Sequence, residues 1–177
     1  DLEGHDDNVA ASTYGGFCVT ASGHVMRFDC DPHLQGLKFL FFIPEVISSS
    51  EKSRMALPES YAKDDIVKSI GSVAVLTSLF SSNTFNDDVL KLVTQDVIHQ
   101  PLRLESLGPS KKAFDAFSEY GAITQWLSGS GSTIAALVAE EKLEEIKSKM
   151  EQLELDCAFS VRELQISNEG VREVLRN

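Results

Sequence analysis

Positive charge is scarce in this sequence. Its 16 lysines and arginines face 27 aspartates and glutamates, a net charge of −11. That balance argues against a nucleic-acid partner, whose phosphates need a basic face to neutralise them. It also disfavours an anionic membrane surface. Cysteine is scarce too. Cys18, Cys30 and Cys157 are odd in number and far apart, without metal-ligand spacing. Zinc is therefore not expected, and a reducing compartment is the simpler reading. Long apolar runs are missing: the longest, Leu37 to Pro44, carries Lys38 and is too short to span a bilayer. No signal peptide, internal repeat or low-complexity segment is visible. An initiator methionine is absent as well, and site-like chemistry begins at Glu3, which reads as the interior of something larger. What remains is 177 residues with 42% apolar content, enough for one domain or one and a fraction of a soluble, self-repelling protein.

The apolar spacing predicts an α+β chain. Residues 5–12 read as a short helix stopped by Gly15-Gly16. Phe17 to Thr20 and His24 to Phe28 read as strands around the Ala21-Ser22-Gly23 turn. A domain boundary is placed near residues 30–36. Leu37 to Ile43 reads as a buried strand closed by Pro44. Asp64 to Phe80 carries Ile66, Val67, Ile70, Val73, Ala74 and Leu76 at helical spacing, which predicts a buried helix. Asn86 caps a second helix that runs to a stop at His99-Gln100-Pro101, and Ser110 caps a third. Ile123 to Leu127 and Thr133 to Val138 read as strands, and Glu140 to Leu153 as an amphipathic helix. A strand over about Phe159 to Ile166 and a tail helix from Glu169 complete the series.

Four polar segments stand out against this frame. His5-Asp6-Asp7-Asn8 packs a histidine, two aspartates and an asparagine together before small residues and Gly15-Gly16. It suits a small polar substrate, or equally an N-terminal helix cap. Ser50-Glu51-Lys52-Ser53-Arg54 is a polar loop whose Ser50 can cap a short helix. Its arginine is either solvated or a bidentate grip on a carboxylate or phosphate. His99-Gln100-Pro101-Leu102-Arg103 reads as a helix stop, with His99 near the negative end of the dipole; Arg103 could be a second cation opposite Arg54. Leu127-Ser128-Gly129-Ser130-Gly131-Ser132-Thr133 is either a flexible turn or a backbone cradle for an anion. It has neither the lysine of a P-loop nor Rossmann spacing.

Taken in order, these segments resemble the homoserine kinases of the GHMP small-molecule kinase family. Glu3 to Ala10 is similar to an E-G-H-P-D-N-V-A signature, and Ser50 to Arg54 to an S/T-E-K-x-R segment. His99 to Arg103 resembles H-Q-P-x-R, and Leu127 to Thr133 resembles the S-G-S-G-P-T loop of the wider family. The resemblance implies a ferredoxin-like C-terminal domain over residues 37–177, preceded over 1–36 by the last helix and strands of an N-terminal nucleotide-binding domain. It implies ATP-dependent phosphorylation of the L-homoserine hydroxyl in threonine biosynthesis, in the cytoplasm, and leaves room for a homodimer. His5 would contact the amino acid, and Arg54 and Arg103 would clamp its carboxylate. Ser50 would help order its loop, and Gly129, Ser130 and Gly131 would line the site. Asn8 would orient the reacting hydroxyl where relatives often have an aspartate base. Being neutral, it implies catalysis by positioning.

Two residues depart from the pattern. Asp6 and Ser132 stand where prolines are usual, which should loosen each turn. A P-x-x-x-G-L-G-S-S-A phosphate-binding loop is not in these residues, nor is the acidic Mg²⁺ ligand expected before the E-G-H segment. ATP and Mg²⁺ would then be held mainly by an N-terminal half, and these 177 residues alone would be inactive. Two rivals remain. One is a GHMP kinase for mevalonate or a sugar, against which the two arginines argue. The other is a non-catalytic, amino-acid-binding ferredoxin-like module.

Overall fold

The computed structural model describes residues 6–45 and 57–172. Helix α1 (Asp6–Tyr14) leads into β1 (Phe17–Ala21) and β2 (His24–Phe28), an antiparallel pair that forms its own small sheet. A 3-10 turn, Pro32–Gln35, precedes β3 (Leu37–Pro44). Four helices follow: α2 (Lys63–Ser82), α3 (Asp87–Val93), α4 (Gln100–Glu105) and α5 (Gly108–Glu119). The chain continues through β4 (Thr124–Leu127), β5 (Ile134–Ala139), α6 (Leu143–Glu151) and β6 (Phe159–Leu164). The larger sheet has the order β4-β5-β3-β6, every neighbour antiparallel. From β3 onward this is a βαββαβ path, the ferredoxin-like arrangement, and the α+β class is the one expected.

The run in β3 is almost unbroken because one face of this strand is fully buried and the other half-covered. Leu40 and Phe42 turn to one side, where they are fully buried with Ala113, Ala116 and Phe117 of α5 and Ile146 and Met150 of α6. Leu37 turns to the other, joining Cys30, Phe80, Leu90 and Leu137. Phe17 stacks on Phe80 there with ring centroids 4.9 Å apart, which brings the small sheet against α2. Burial, and then the charge of Asp31, pushes the Cys30 thiol up to about 11. It therefore packs as a small apolar group rather than a nucleophile.

Four sequence expectations are corrected. Helix α2 is formed but not buried: Val67, Ile70 and Val73 are 59–66% exposed. Only its C-terminal end, through Leu76, Leu79 and Phe80, reaches the core. The second helix stops at Val93, and Pro101 opens a new helix instead of ending the old one. Proline suits a first helical turn, where its missing N–H is not needed. His99 is thus the N-cap of α4, at the positive end of a dipole. Ser110 lies inside α5, whose N-cap is Leu107. Finally, residues 169–172 are not helical. They run back along the end of α1.

That return holds the small sheet in place. Gly16 N–H donates to the Ser167 carbonyl at 2.7 Å, and Val171 N–H to the Thr13 carbonyl at 3.1 Å. Asn168 accepts from Cys30 N–H at 2.9 Å and donates to Asp31 at 2.8 Å, while Arg27 donates to the Asn168 carbonyl. The approach is close enough to require glycine: a Cβ on Gly170 would overlap the Thr13 carbonyl group. Gly170→Ala should therefore cost about 1–3 kcal/mol, the usual range for overpacking. Amide exchange should quicken in β1 and β2 while β3 and β5 keep their protection. Uniform exchange across both sheets would refute this.

Candidate functional site

Helix α4 lies beside β4, an edge strand of the larger sheet. Leu104 anchors it in the core at 4% exposure. Its first turn is fastened by a residue that motif reading passed over. The Asp96 carboxylate accepts N–H bonds from Ile98 at 2.7 Å, His99 at 3.1 Å and Gln100 at 2.9 Å. These are donors that a helix start otherwise leaves unsatisfied. The His99 ring stands 3.7 Å from the same carboxylate. Only the spacing of an aspartate before the His-Gln-Pro run could have signalled this cap.

Arg103 follows one turn later, half-buried. Its Nη1 donates to the Gly129 carbonyl at 3.3 Å. The structure thus brings together two of the residues singled out from sequence. Its Nε is buried, with no hydrogen-bond partner among the described residues. A buried guanidinium N–H without an acceptor is costly to leave so. The orphaned N–H marks a side chain whose hydrogen bonding is incomplete here, and carboxylate and phosphate are the anions that match the guanidinium fork.

The Gly-Ser loop is braced at its base. Ser128 N–H donates to the Thr133 carbonyl at 2.9 Å, and Gly131 N–H to the Ser128 carbonyl at 3.0 Å. The buried Ser110 hydroxyl donates to the Ser132 carbonyl at 2.6 Å. This second missed residue supports the loop where a proline is usual in the resembled pattern; the Gly131–Ser132 peptide is cis. Gly131 has φ +90°, which strains any side chain, and a Cβ there would lie 2.8 Å from Leu107 Cδ1 and push that side chain aside. Gly129 (φ +57°) has open space on its Cβ side. Ser130 lies between these glycines at intermediate burial.

The remaining candidates are not joined to this pair. Asn8 is exposed on α1, where its carbonyl accepts from the Ser12 hydroxyl at 2.8 Å. His5, Ser50 and Arg54 lie outside the described residues, as does the helix that Ser50 was expected to cap. On the other face of the sheet is a groove of about 700 Å³, lined by Phe39, Phe41, Trp126, Leu164, Val73 and His99 among others. It is continuous with the exposed side of α2. No described helix is long and apolar enough to cross a membrane.

Comparison with known proteins finds likenesses to homoserine kinases and other small-molecule kinases. Residues 82–154 match the family described as GHMP kinases C terminal. A homoserine kinase of Clostridium kluyveri is 34% identical over 175 residues, 98% of this chain and 58% of that protein. A homoserine kinase of Prochlorococcus marinus subsp. pastoris is 32% identical over 153 residues, 85% of this chain and 48% of that one. The chain thus spans about half the length of the curated relatives it matches. Among solved structures, homoserine kinase from Cytophaga hutchinsonii aligns with TM-score 0.83 at 25% identity, over 94% of this chain and 53% of its own. A mevalonate kinase shares the fold with TM-score 0.61 at 19% identity, over 88% and 49%.

Proposed function

This chain carries a GHMP kinase C-terminal domain, and on that premise we propose that it supplies the substrate side of a homoserine kinase. Residues 1–36 would end the N-terminal domain and residues 37–177 would form the C-terminal one. The enzyme would be cytoplasmic, would serve threonine biosynthesis and could pair as a homodimer. The observation that carries the proposal is Arg103. One edge of its guanidinium is engaged by Gly129, and its Nε is buried and unpartnered among the described residues. That arrangement suits the α-carboxylate of an amino acid better than the neutral ring of a sugar.

In this reading Arg103 and Arg54 hold the carboxylate, and His5 contacts the rest of the amino acid. Ser50 would order the segment bearing Arg54, while Gly129, Ser130 and Gly131 would line the site. Asn8 orients the side-chain hydroxyl. Its amide is neutral and cannot take the proton, so its contribution is alignment. ATP, when bound with Mg²⁺, supplies the transferred phosphoryl group.

The described residues alone offer no built site for the nucleotide's metal. Among the described residues no group of three or more His, Cys, Asp or Glu could hold a metal ion. Nor do the 177 residues contain the phosphate-binding pattern. The proposal therefore assigns both cofactors to an N-terminal half. Accordingly, these residues alone should form no phosphohomoserine from homoserine and ATP, and activity should appear when that half is supplied. Turnover by the purified 177 residues would overturn the split-site reading. Tight homoserine or threonine binding to them alone, seen by calorimetry, would favour an amino-acid-binding module instead.

A further inference from the structure

Gln100 takes no part in the chemistry above, yet it is buried, at 7% exposure. A buried carboxamide is retained where its polar atoms find partners. Its Oε1 accepts the Leu127 N–H at 2.7 Å. Leu127 ends β4, an edge strand, so this N–H has the side chain of a helix as partner rather than another strand. One turn along the same helix, Arg103 meets Gly129. Residues three apart on the helix thus contact residues two apart on the strand and loop. The spacings agree, because a helix turn places side chains about 5–6 Å apart and two strand residues span about 6.6 Å. Asp96 fixes the backbone N–H of Gln100 at the same time. Slipping α4 by one residue would break both contacts together.

We propose that Gln100 is a positioning residue for substrate binding. It locks α4 in register with β4, so that the Arg103 guanidinium is held at the Gly-Ser loop, where it would meet the substrate carboxylate. This deepens the reading of Arg103 as the carboxylate ligand and rests on it. A glutamate at position 100 keeps an acceptor for Leu127; a leucine of similar size does not.

The test uses Gln100→Leu, Gln100→Glu and Arg103→Ala, each assayed with the N-terminal half supplied. Losing one hydrogen bond and its register should raise the KM for homoserine roughly five- to tenfold in Gln100→Leu. The kcat and the KM for ATP should be unchanged, because ground-state binding of one substrate is what weakens. Gln100→Glu should stay near the parent value. In the ¹⁵N-labelled chain, the Leu127 amide should lose exchange protection in Gln100→Leu and keep it in Gln100→Glu. A merely structural role would lower kcat and melting temperature and leave the homoserine KM alone, which would overturn the inference. So would an unchanged KM in Gln100→Leu alongside a raised one in Arg103→Ala. If Arg103→Ala itself leaves the KM unchanged, the carboxylate reading falls and this inference falls with it.

Discussion

Arg103→Ala is expected to raise the KM for homoserine by about 30- to 100-fold in the enzyme reconstituted with its N-terminal half. A hydrogen bond to a charged group is worth about 1.5–3 kcal/mol, and each 1.4 kcal/mol is a factor of about ten. The upper part of that range applies because the Arg103 side chain is half-buried, where solvent screens a charged pair less. Arg103→Lys should recover little, since an ammonium cannot reach Gly129 and present a second donor edge to a carboxylate together. The discriminating measurement pairs homoserine with an analogue lacking the α-carboxylate. The parent should favour homoserine strongly and Arg103→Ala should hardly distinguish the two. Equal loss of activity on both compounds would mean that Arg103 serves the fold or the nucleotide, and the proposed role would be abandoned.

Phe117→Ala carries the largest expected effect on stability. Its ring is fully buried among Leu40, Phe42, Ile134 and Ile146. Removing a buried phenylalanine ring costs about 3–5 kcal/mol, against a total of about 5–15 kcal/mol for a typical domain. The urea midpoint should fall by a large fraction of its value with little change in slope. The consequence reaches the site because α5 also bears Ser110, whose hydroxyl holds the Ser132 carbonyl. A loss below about 1.5 kcal/mol, the range of volume-conserving core swaps, would show that α5 is not packed on the sheet as described.

The strands were the most legible part of this fold. β1 and β2 follow from two short strand-forming runs around a glycine turn, and the apolar run of β3 announces a buried strand. Periodicity was less informative for α2. It shows that Ile66, Val67, Ile70 and Val73 share a face, but a spacing carries no record of what covers that face. Pro101 misled for a different reason. Proline ends one helix and opens another by the same ring geometry, and the Asp96 carboxylate that decides between them acts through backbone N–H groups. The segments bearing Arg103 and Gly129 could be singled out because their composition is unusual. Their contact could not be foreseen, because it depends on the register of α4 against β4. Gln100 was visible as a letter of a motif, but its partner is a main-chain amide, which leaves no mark in a sequence.

The stitch between Arg27 and Asn168 joins positions 141 residues apart. During synthesis the earlier partner must wait for the later one. At about 5–20 residues per second, that wait is roughly 7–28 seconds. A small antiparallel pair is marginal in water without a surface to pack on. The hairpin of residues 17–28 is therefore made early and secured late by the returning segment. During that interval Met26, 60% exposed even in the finished fold, stands on a strand whose tether has not yet been made. A ribosome pausing anywhere before Asn168 would lengthen this vulnerable period without changing any contact in the final structure.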